Sequence, residues 1–253
     1  MTLHDPLHLH IAHKAFSPTF IPVLSQLQLT IHAGEFIAFI GPSGAGKSTL
    51  LNIVAGLDRQ FSGTVMIGQQ NLHQGSQAQL RLAMMFQETR LMPWLTVLEN
   101  LLLVLKKETH ARSRAMQVLE RVGLTAQANA YPQQLSGGMQ RRVALARAFV
   151  VQPELLLMDE PFISVDAPTV QQLHTQLLQL WQQHQATILF VTHHFLEALL
   201  LADSVVFLSA APAQIIHVEA ITLPRPRELE QIERMAKQLL QRYPQLLSGQ
   251  LGV

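Results

Sequence analysis

A glycine-rich loop that carries a lysine and three hydroxyl residues follows the apolar run at residues 36–40. Glycines allow sharp turns, so that successive backbone N–H groups can point at phosphate oxygens, and the positive end of the following helix dipole adds to their field. Lys47 is placed to reach the β- and γ-phosphates of a nucleotide, and the Ser48 hydroxyl is placed to ligate Mg²⁺. The spacing matches G-x-x-x-x-G-K-S/T and predicts binding of a nucleoside triphosphate. The loop comprises Gly41, Pro42, Ser43, Gly44, Ala45, Gly46, Lys47, Ser48 and Thr49.

Two acidic residues end a second apolar run, which covers residues 155–158. A continuous apolar run of this length fits a strand that is buried on both faces of a parallel sheet. Carboxylates at its carboxyl end are costly unless they meet a cation or a reacting group. We therefore expect Asp159 to hold the Mg²⁺ that Ser48 contacts, and Glu160 to orient and polarise an attacking water.

Two further segments place polar groups at the ends of predicted elements. His193 follows the apolar strand at residues 187–191 and is a candidate contact for the γ-phosphate, whereas the adjacent His194 is interpreted as structural. Ser136 is a good N-cap, and the two glycines after it leave backbone N–H groups open at a positive helix end. This segment is either a second anion site or a plain capped helix.

Several other residues leave two interpretations open. His4, His8, His10 and His13 suggest a metal cluster, but neighbouring carboxylate or cysteine ligands are missing, which favours solvated residues on an edge strand. Phe16 or Phe20 stacks on a nucleotide base or anchors its loop in the core. Trp94, with Met92 nearby, belongs either to the core or to a docking surface.

The order of apolar patterns predicts the elements that position these groups. Alternating or continuous apolar residues predict strands at 7–12, 23–31, 36–40, 64–67, 155–160, 187–191, 205–208 and 214–218. Apolar residues at helical spacing predict helices within 97–105, 109–122 and 229–243. A proline-rich boundary at 224–227 precedes the last helix, which we expect to be amphipathic and to pack back on the protein.

Composition limits the classes of function. The 253 residues carry a net charge of +1 with acids and bases interspersed, so we expect no nucleic-acid partner. The absence of cysteine excludes disulfides and thiolate metal sites. The first residues lack a basic region followed by an apolar run, so we expect no signal peptide and a cytosolic location. Acids interrupt the apolar stretch 195–216, at about 2.5–3.5 kcal/mol each in mid-bilayer, so any membrane connection requires a partner.

Taken together, these motifs resemble the ATP-binding subunit of ABC transporters over about residues 7–220. The motifs are the phosphate loop, Gln87, LSGGMQ at 135–140, LLLMDE at 155–160 and His193. The resemblance implies an α/β fold: a phosphate-loop NTPase (RecA-like) core with an antiparallel β subdomain and a helical insertion. That domain would cover 1–223, with the insertion at about 88–154, and a C-terminal amphipathic helical extension would cover 224–253.

The resemblance also implies roles for individual residues, with ATP and Mg²⁺ as cofactors. In this family two copies sandwich the nucleotide, so the chain is expected to form a homodimer in which each copy's signature closes on the other's ATP. Gln87 would sense Mg²⁺ and the water, and Asp166 would be the interface aspartate. The signature residues of the ATP site would be Ser136, Gly137, Gly138 and Gln140. Phe16 is the preferred base-stacking residue.

Short motifs place the chain within one branch of the family. LMPWLTVLEN, which follows Gln87, and LPRPR near the C-terminus look like the importers of nitrate, sulfonates, taurine, bicarbonate and pyrimidine thiamine precursors. The resemblance thus implies an ATP-hydrolysing, energy-coupling subunit of an importer for a small anionic or thiamine-precursor-type solute. It would dock through Leu91–Glu99 on permease subunits at the cytoplasmic face of the inner membrane, and an external solute-binding protein would supply the solute.

Two rival functions belong to other classes. The first is a soluble, non-transport ABC-type ATPase that acts on nucleic acid or a protein partner. Such a protein would be expected to contain a long coiled-coil insertion, tandem cassettes or a basic face, and the sequence shows none of these. A non-catalytic nucleotide sensor would not need the Asp159 and Glu160 pair, whose presence favours a hydrolase.

The sequence departs from the family pattern at two places. Residues 163–165 read Ile-Ser-Val where the family commonly has a small-residue turn before the interface aspartate, which puts the dimer contacts there in question. His194 stands where aspartate is usual. Because Lys47, Asp159, Glu160 and His193 are all present, we expect hydrolysis to be retained.

Overall fold

The computed structural model describes residues 5–17, 21–73, 80–105, 109–163 and 165–250. His4, Phe20 and Ser164, which entered the sequence predictions, lie outside the described residues. The chain divides into two compact units. The first unit is Leu3–Leu80 with Thr187–Val253, and the second unit is Arg81–Ala186.

The described residues form both strands and helices. The strands are β1 (Leu7–Lys14), β2 (Leu24–Ile31), β3 (Phe36–Ile40), β4 (Ser62–Ile67), β5 (Gln70–Asn71), β6 (Leu82–Met85), β7 (Leu155–Asp159), β8 (Thr187–Val191), β9 (Ser204–Leu208) and β10 (Ile215–Ala220). The α-helices are α1 (Lys47–Val54), α2 (Val97–Leu105), α3 (Ala111–Arg121), α4 (Gly137–Phe149), α5 (Ala167–His184), α6 (Phe195–Leu201) and α7 (Leu229–Arg242). The expected mixture of parallel strands, antiparallel strands and helices is confirmed.

The centre of the first unit is the buried strand β3. It pairs in parallel with β8 on one side and with β9 on the other, and β10 adds to β9 in the antiparallel direction. Both β3 and β8 are buried along their whole length and are apolar except for Thr187, as expected for strands covered on both faces. Phe39 lies opposite Val191, and Ile40 lies opposite Phe207. The chain segments that leave β3 and β8 therefore emerge at the same edge.

The first unit also contains an antiparallel sheet in the order β2, β1, β4, β5. Leu7, Leu9 and Ile11 of β1 are buried, so the predicted apolar face is confirmed. The predicted edge position is wrong, because β1 is hydrogen-bonded to both β2 and β4. Alternation identifies the buried face of a strand but carries no information on how many neighbours the strand has. Among the described residues, no cluster of three or more potential metal ligands occurs, in this strand or elsewhere.

The second unit pairs β6 with β7 in parallel, in a register that sets Met85 opposite Met158. Helix α4 packs against β6 and against α2, α3 and α5. The buried face of α5 consists of Leu173, His174, Leu177 and Leu180. The glutamines of this helix are exposed, except for the half-buried Gln176.

Helix α7 forms where the sequence predicts an amphipathic helix, and it packs against α6. Its buried residues are Ile232, Ala236 and Leu239. Arg227, just before α7, is buried and donates hydrogen bonds to carbonyl oxygens at the end of α6, including Leu199 at 2.8 Å. Burial, together with the nearby Arg225, lowers the pKa of Arg227 to about 10, so the guanidinium stays charged at neutral pH.

The apolar stretch 195–216 is not one continuous helix, since it contains α6, β9 and the start of β10. Across the described residues, no helix is both long enough and apolar enough to span a membrane.

A buried ion pair ties the end of β1 to the loop after α1. Lys14 is only 2% exposed, and its ammonium lies 2.6 Å from an Asp58 carboxylate oxygen. It also donates a hydrogen bond of 2.9 Å to the Gln60 carbonyl. Such a pair adds little net stability relative to apolar residues, but removal of one partner leaves a buried charge.

We expect Asp58→Ala to lower the free energy of unfolding by about 3 kcal/mol, because the Lys14 ammonium then lacks its carboxylate. The double variant Lys14→Met with Asp58→Ala replaces the buried charge by an apolar chain of similar length and should recover most of that loss. Urea-induced unfolding measures the free energy of unfolding of the single and the double variant. A double variant no more stable than Asp58→Ala would contradict this account.

Candidate active site

The phosphate loop connects β3 to α1, whose first residue is Lys47. Gly46, just before the helix, has a left-handed φ of 79°, and a β-carbon there would lie 2.5 Å from a methyl carbon of Val23. The buried Lys47 ammonium donates hydrogen bonds to the carbonyl oxygens of Gly41 at 2.8 Å and Pro42 at 3.0 Å. The loop backbone is therefore curled around a lysine at the positive end of a helix.

The outer side of the same loop is open to solvent. Ser43, Gly44 and Ser48 are exposed, and Gly44 has a left-handed φ of 79°. Ser48 lies in the first turn of α1, where backbone N–H groups have no partner within the helix. Ser48 and the N-terminus of α1 are therefore accessible to an anion from solvent.

His193 leaves β8 at the sheet edge where the phosphate loop leaves β3. The register sets Phe39 opposite Val191, so Gly41 and His193 are each two residues beyond that pair. His193 is exposed, and its ring centroid lies 4.0 Å from that of His194, the N-cap residue of α6. The structure thus brings the predicted phosphate contact and the phosphate loop together.

Buried polar residues that the sequence predictions did not single out fix the turn at His193. The Thr192 hydroxyl donates a hydrogen bond of 2.6 Å to Glu197, which lies in the first turn of α6. The same hydroxyl accepts a hydrogen bond of 3.1 Å from the His194 N–H. In the sequence, Thr192 is recognisable only as a hydroxyl residue beside two histidines. This pattern does not predict a hydrogen bond to an acid five residues away.

Phe16, the preferred base-stacking residue, is 67% exposed, so its alternative role as a core anchor is wrong. It lines an open cleft of about 420 Å³ with Gln60 and Phe61. The buried Lys14 ammonium lies 4.9 Å from the Phe16 ring centroid. A cation at this distance is attracted to the π face of the ring. None of the phosphate-loop residues lines this cleft.

The acids and Gln87 lie at one edge of the second unit. Asp159 is the last residue of β7, and Glu160 follows it. Because Met85 lies opposite Met158, Gln87 and Glu160 are each two residues beyond a paired position and leave the sheet at the same edge. Glu160 has a left-handed φ of 45°, which costs an L-residue about 1–2 kcal/mol and is typical of functional positions.

The signature segment is a capped helix start. Ser136 is the N-cap of α4, and its hydroxyl oxygen accepts a hydrogen bond of 3.3 Å from the Met139 N–H, as predicted. The first helical residues are Gly137 and Gly138, and Ser136 and Gly137 are exposed. Gln140 directs its amide into the preceding loop, where it donates a bond of 2.9 Å to the Pro132 carbonyl. Its side chain therefore shapes the loop rather than extending toward solvent.

Thr169 links the signature to Asp166. A β-carbon at residue 138 would lie 2.5 Å from the Thr169 methyl carbon, so only glycine fits there. Asp166 is the N-cap of α5 and accepts a hydrogen bond of 3.1 Å from the Thr169 N–H. Hydrogen bonds from the Thr169 hydroxyl and N–H hold the pKa of Asp166 below its usual value. The predicted interface aspartate and signature glycine thus share one local cluster.

Comparison with known proteins identifies the family of this chain. The family described as ABC transporter matches residues 24–163. The aliphatic sulfonates import ATP-binding protein SsuB of Bacillus cereus is 40% identical over 226 residues, which are 88% of this chain and 89% of that protein. This chain belongs to the ABC transporter family.

Two further relatives extend the comparison of this ABC cassette. The aliphatic sulfonates import ATP-binding protein SsuB of Yersinia pestis is 47% identical over 205 residues, which are 81% of this chain and 73% of that protein. The dimeric structure of the ATP-binding cassette MJ0796 in a post-hydrolysis state with ADP and Pi matches with a TM-score of 0.73 and 29% identity. That match covers 86% of this chain and all of that one.

Two arginines of α4 hold the segment around Gln87 in this ABC cassette. Arg147 donates hydrogen bonds to the carbonyl oxygens of Arg90 at 2.7 Å and Thr89 at 2.8 Å. Arg141 bonds to the carbonyls of Phe86 at 3.4 Å and Ile163 at 3.3 Å. Burial lowers the pKa of both arginines, which nevertheless remain charged at neutral pH. Sequence reasoning assigned them no role, because their partners are backbone carbonyls distant in sequence.

The loop after this segment presents Trp94 to solvent. Trp94 is 70% exposed, so its alternative assignment to the core is wrong. Asn100 of α2 is fully buried beneath the loop and accepts a hydrogen bond of 2.8 Å from the Met92 N–H. Its amide donates to three loop carbonyls, including Leu95 at 3.1 Å and Thr96 at 2.9 Å. One side chain therefore fixes the shape of the loop that carries the tryptophan.

We expect Asn100→Asp to lower the free energy of unfolding by about 3 kcal/mol, because the carbonyls lose their donors and face a buried carboxylate. Asn129→Asp, at an exposed position of the same unit, is the matched control and should change stability by no more than about 0.5 kcal/mol. Urea-induced unfolding measures both variants. If Asn100→Asp and Asn129→Asp have the same free energy of unfolding, Asn100 does not organise the loop.

Proposed function

We propose that this chain is the ATP-hydrolysing, energy-coupling subunit of a membrane importer for sulfonates or a closely similar small anion. The observation that carries the proposal is 40% identity, over 88% of the chain, with an aliphatic sulfonates import ATP-binding protein. The proposed organisation is an ATPase domain at 1–223, with a helical insertion at about 88–154, and an extension at 224–253.

The residues at the sheet edges fit a bound Mg-ATP. In the proposed mechanism, the loop N–H groups and Lys47 hold the β- and γ-phosphates, which otherwise repel an incoming nucleophile. Ser48 and Asp159 offer a hydroxyl and a carboxylate, the hard oxygen ligands that suit Mg²⁺. When bound, this ion neutralises charge on the phosphates. Phe16 stacks on the adenine base from its exposed position.

Hydrolysis then needs an oriented water and a proton acceptor. Glu160 accepts the proton of the attacking water, and Gln87 orients that water and senses the metal. His193 donates a hydrogen bond to the γ-phosphate, which stabilises the charge on its oxygens. The strained backbone at Glu160 supports this assignment, since left-handed residues are held in place at functional sites.

A second copy of the chain completes each site. The N–H groups of Gly137 and Gly138 at the start of α4, with the Ser136 hydroxyl, bind the γ-phosphate of the ATP on the opposite copy. Asp166 lies at the same dimer interface, and its hydrogen bonds with Thr169 lower its pKa. The dimeric form of the similar MJ0796 cassette supports this arrangement.

The permease partner docks on the second unit. Trp94 and Pro93 are exposed on a loop of fixed shape, and an open cleft of about 500 Å³ is lined by α2, β6 and α4. Leu103 and Val104 supply apolar surface, and Arg147 supplies positive charge. The assembly would hold the chain at the cytoplasmic face of the membrane, with an external binding protein supplying the solute.

We expect Glu160→Gln to reduce the hydrolysis rate by about 10²–10⁴-fold, because the amide cannot accept the proton of the water. ATP binding should persist, so an ATP-bound dimer should accumulate in size-exclusion chromatography. Glu154→Gln is the matched control at the other end of β7, where the residue accepts a bond from the Arg81 N–H. Phosphate release at the parental rate from Glu160→Gln would contradict the assignment.

We expect Trp94→Ala to weaken permease binding by about 30-fold, the loss typical of a central aromatic contact. In the reconstituted complex, an alkanesulfonate-loaded binding protein should stimulate hydrolysis by the parent and not by this variant. Leu229→Ala, an exposed apolar residue of the first unit, should behave as the parent. Stimulation by nitrate but not by an alkanesulfonate would contradict the proposed solute, and undiminished stimulation of Trp94→Ala would contradict the docking site.

A further inference from the structure

The chain beyond α7 folds back onto the first unit. Leu246 to Ser248 form a 3₁₀ turn, and Leu246 is fully buried. The N–H of Gly249 donates a hydrogen bond of 3.1 Å to the Leu246 carbonyl, and that of Gln250 donates one of 3.2 Å to Gln245. This segment, residues 243–250, is called the C-terminal tail below. Its shape is set by its own hydrogen bonds and one buried leucine.

Gly249 lies against the phosphate loop. Its φ of 80° is left-handed, and a β-carbon there would lie 3.1 Å from Pro42 Cδ. The same β-carbon would lie 2.8 Å from the Ala210 nitrogen and 3.0 Å from the Ser209 carbonyl carbon. Backbone atoms cannot move aside as a flexible side chain can, so residue 249 has no room for a side chain.

Pro42 is the residue through which this contact reaches the candidate active site. Its carbonyl oxygen accepts the hydrogen bond from the Lys47 ammonium at 3.0 Å, and it accepts another from the Ala45 N–H at 3.2 Å. The loop is confined on its other side as well, since a β-carbon at Gly41 would lie 3.0 Å from Leu208 Cβ. The end of β9 and the C-terminal tail therefore support two adjacent loop residues whose carbonyls hold the lysine.

The C-terminal tail is anchored independently of this contact. The Tyr243 ring centroid lies 4.7 Å from that of His217 in β10, and the His217 centroid lies 5.9 Å from that of Phe207 in β9. Helix α7 packs on α6, and Arg227 holds the carbonyl end of α6. The tail is thus fixed to the same strand and helix that flank the phosphate loop and His193.

We propose that Gly249 is a positioning residue for the phosphate loop, and that the C-terminal tail supports Pro42 so that the loop carbonyls keep Lys47 in place for the phosphates. The proposal rests on the proposed role of this loop in ATP binding. Because the loop contacts the phosphates before and during the reaction, loss of support should act mainly on KM for ATP and less on kcat.

The test compares Gly249→Ala with Gly123→Ala in the full-length chain. Gly123 ends α3 with a left-handed φ of 69°, and a β-carbon there would meet nothing within 4 Å, so it has the same backbone strain without the contact. We expect Gly249→Ala to raise KM for ATP by about fivefold or more with kcat changed by less than about twofold, and Gly123→Ala to leave both within about twofold.

A double-mutant cycle with Pro42→Ala identifies the contact itself. Removal of the proline ring relieves part of the clash, so the effects of Gly249→Ala and Pro42→Ala on the Kd of a fluorescent ATP analogue should deviate from additivity by about threefold or more. If Gly249→Ala does not fold, Leu246→Val provides the second variant, because it loosens the tail without a new contact and should also raise KM.

Lys47→Ala separates the two proposals. If Lys47→Ala binds the ATP analogue as tightly as the parent, the proposed function fails. If Lys47→Ala weakens binding while Gly249→Ala and Gly123→Ala behave alike, or the cycle is additive, the proposed function stands and the role of Gly249 is refuted.

Discussion

The parallel pairing of β3 with β8 and β9 is the constraint on which the first half of the candidate site depends. Parallel strands end at the same edge, so a register that aligns Phe39 with Val191 also aligns the phosphate loop with His193. The same argument holds in the second unit, where the alignment of Met85 with Met158 brings Gln87 beside Glu160. The relation between these polar residues thus follows from backbone hydrogen bonds between apolar strands.

Close packing then restricts the loops that leave these strands. Glycine is required at position 46 by Val23 and at position 138 by Thr169, because a β-carbon would approach each neighbour to 2.5 Å. The glycines of a phosphate-binding motif are usually explained by the ligand, which needs close access to the backbone. Here the protein side of each loop imposes the same requirement, so a substitution would disturb the loop even before a nucleotide binds.

The sequence predicted the strands at 36–40 and 187–191 with their observed bounds, because continuous apolar runs there end abruptly in polar residues. It predicted the capping role of Ser136, since N-capping is a local interaction within four residues. It could not give the neighbours of β1, since alternation is the same for edge and central strands. The hydrogen bonds of Arg147 and Asn100 were equally hidden, because backbone carbonyls have no sequence signature. The bond from Thr192 to the Glu197 carboxylate was hidden as well, because it forms only once the chain turns into α6. The exposure of Trp94 has no sequence signature either.

Those hidden residues share one physical task. Only 14% of the residues are charged, yet Arg147 and Arg227 direct their guanidinium groups at backbone carbonyls, and the amide of Asn100 does the same. Carbonyls at helix ends and in loops lack the partners that regular structure provides, and burial makes an unpaired one costly. A side chain from another element that donates a hydrogen bond to such a carbonyl fixes the position of that backbone segment. Since Arg227 holds the end of the helix that begins directly after His194, the placement of the neighbouring His193 depends on a residue that the chain supplies more than thirty positions later.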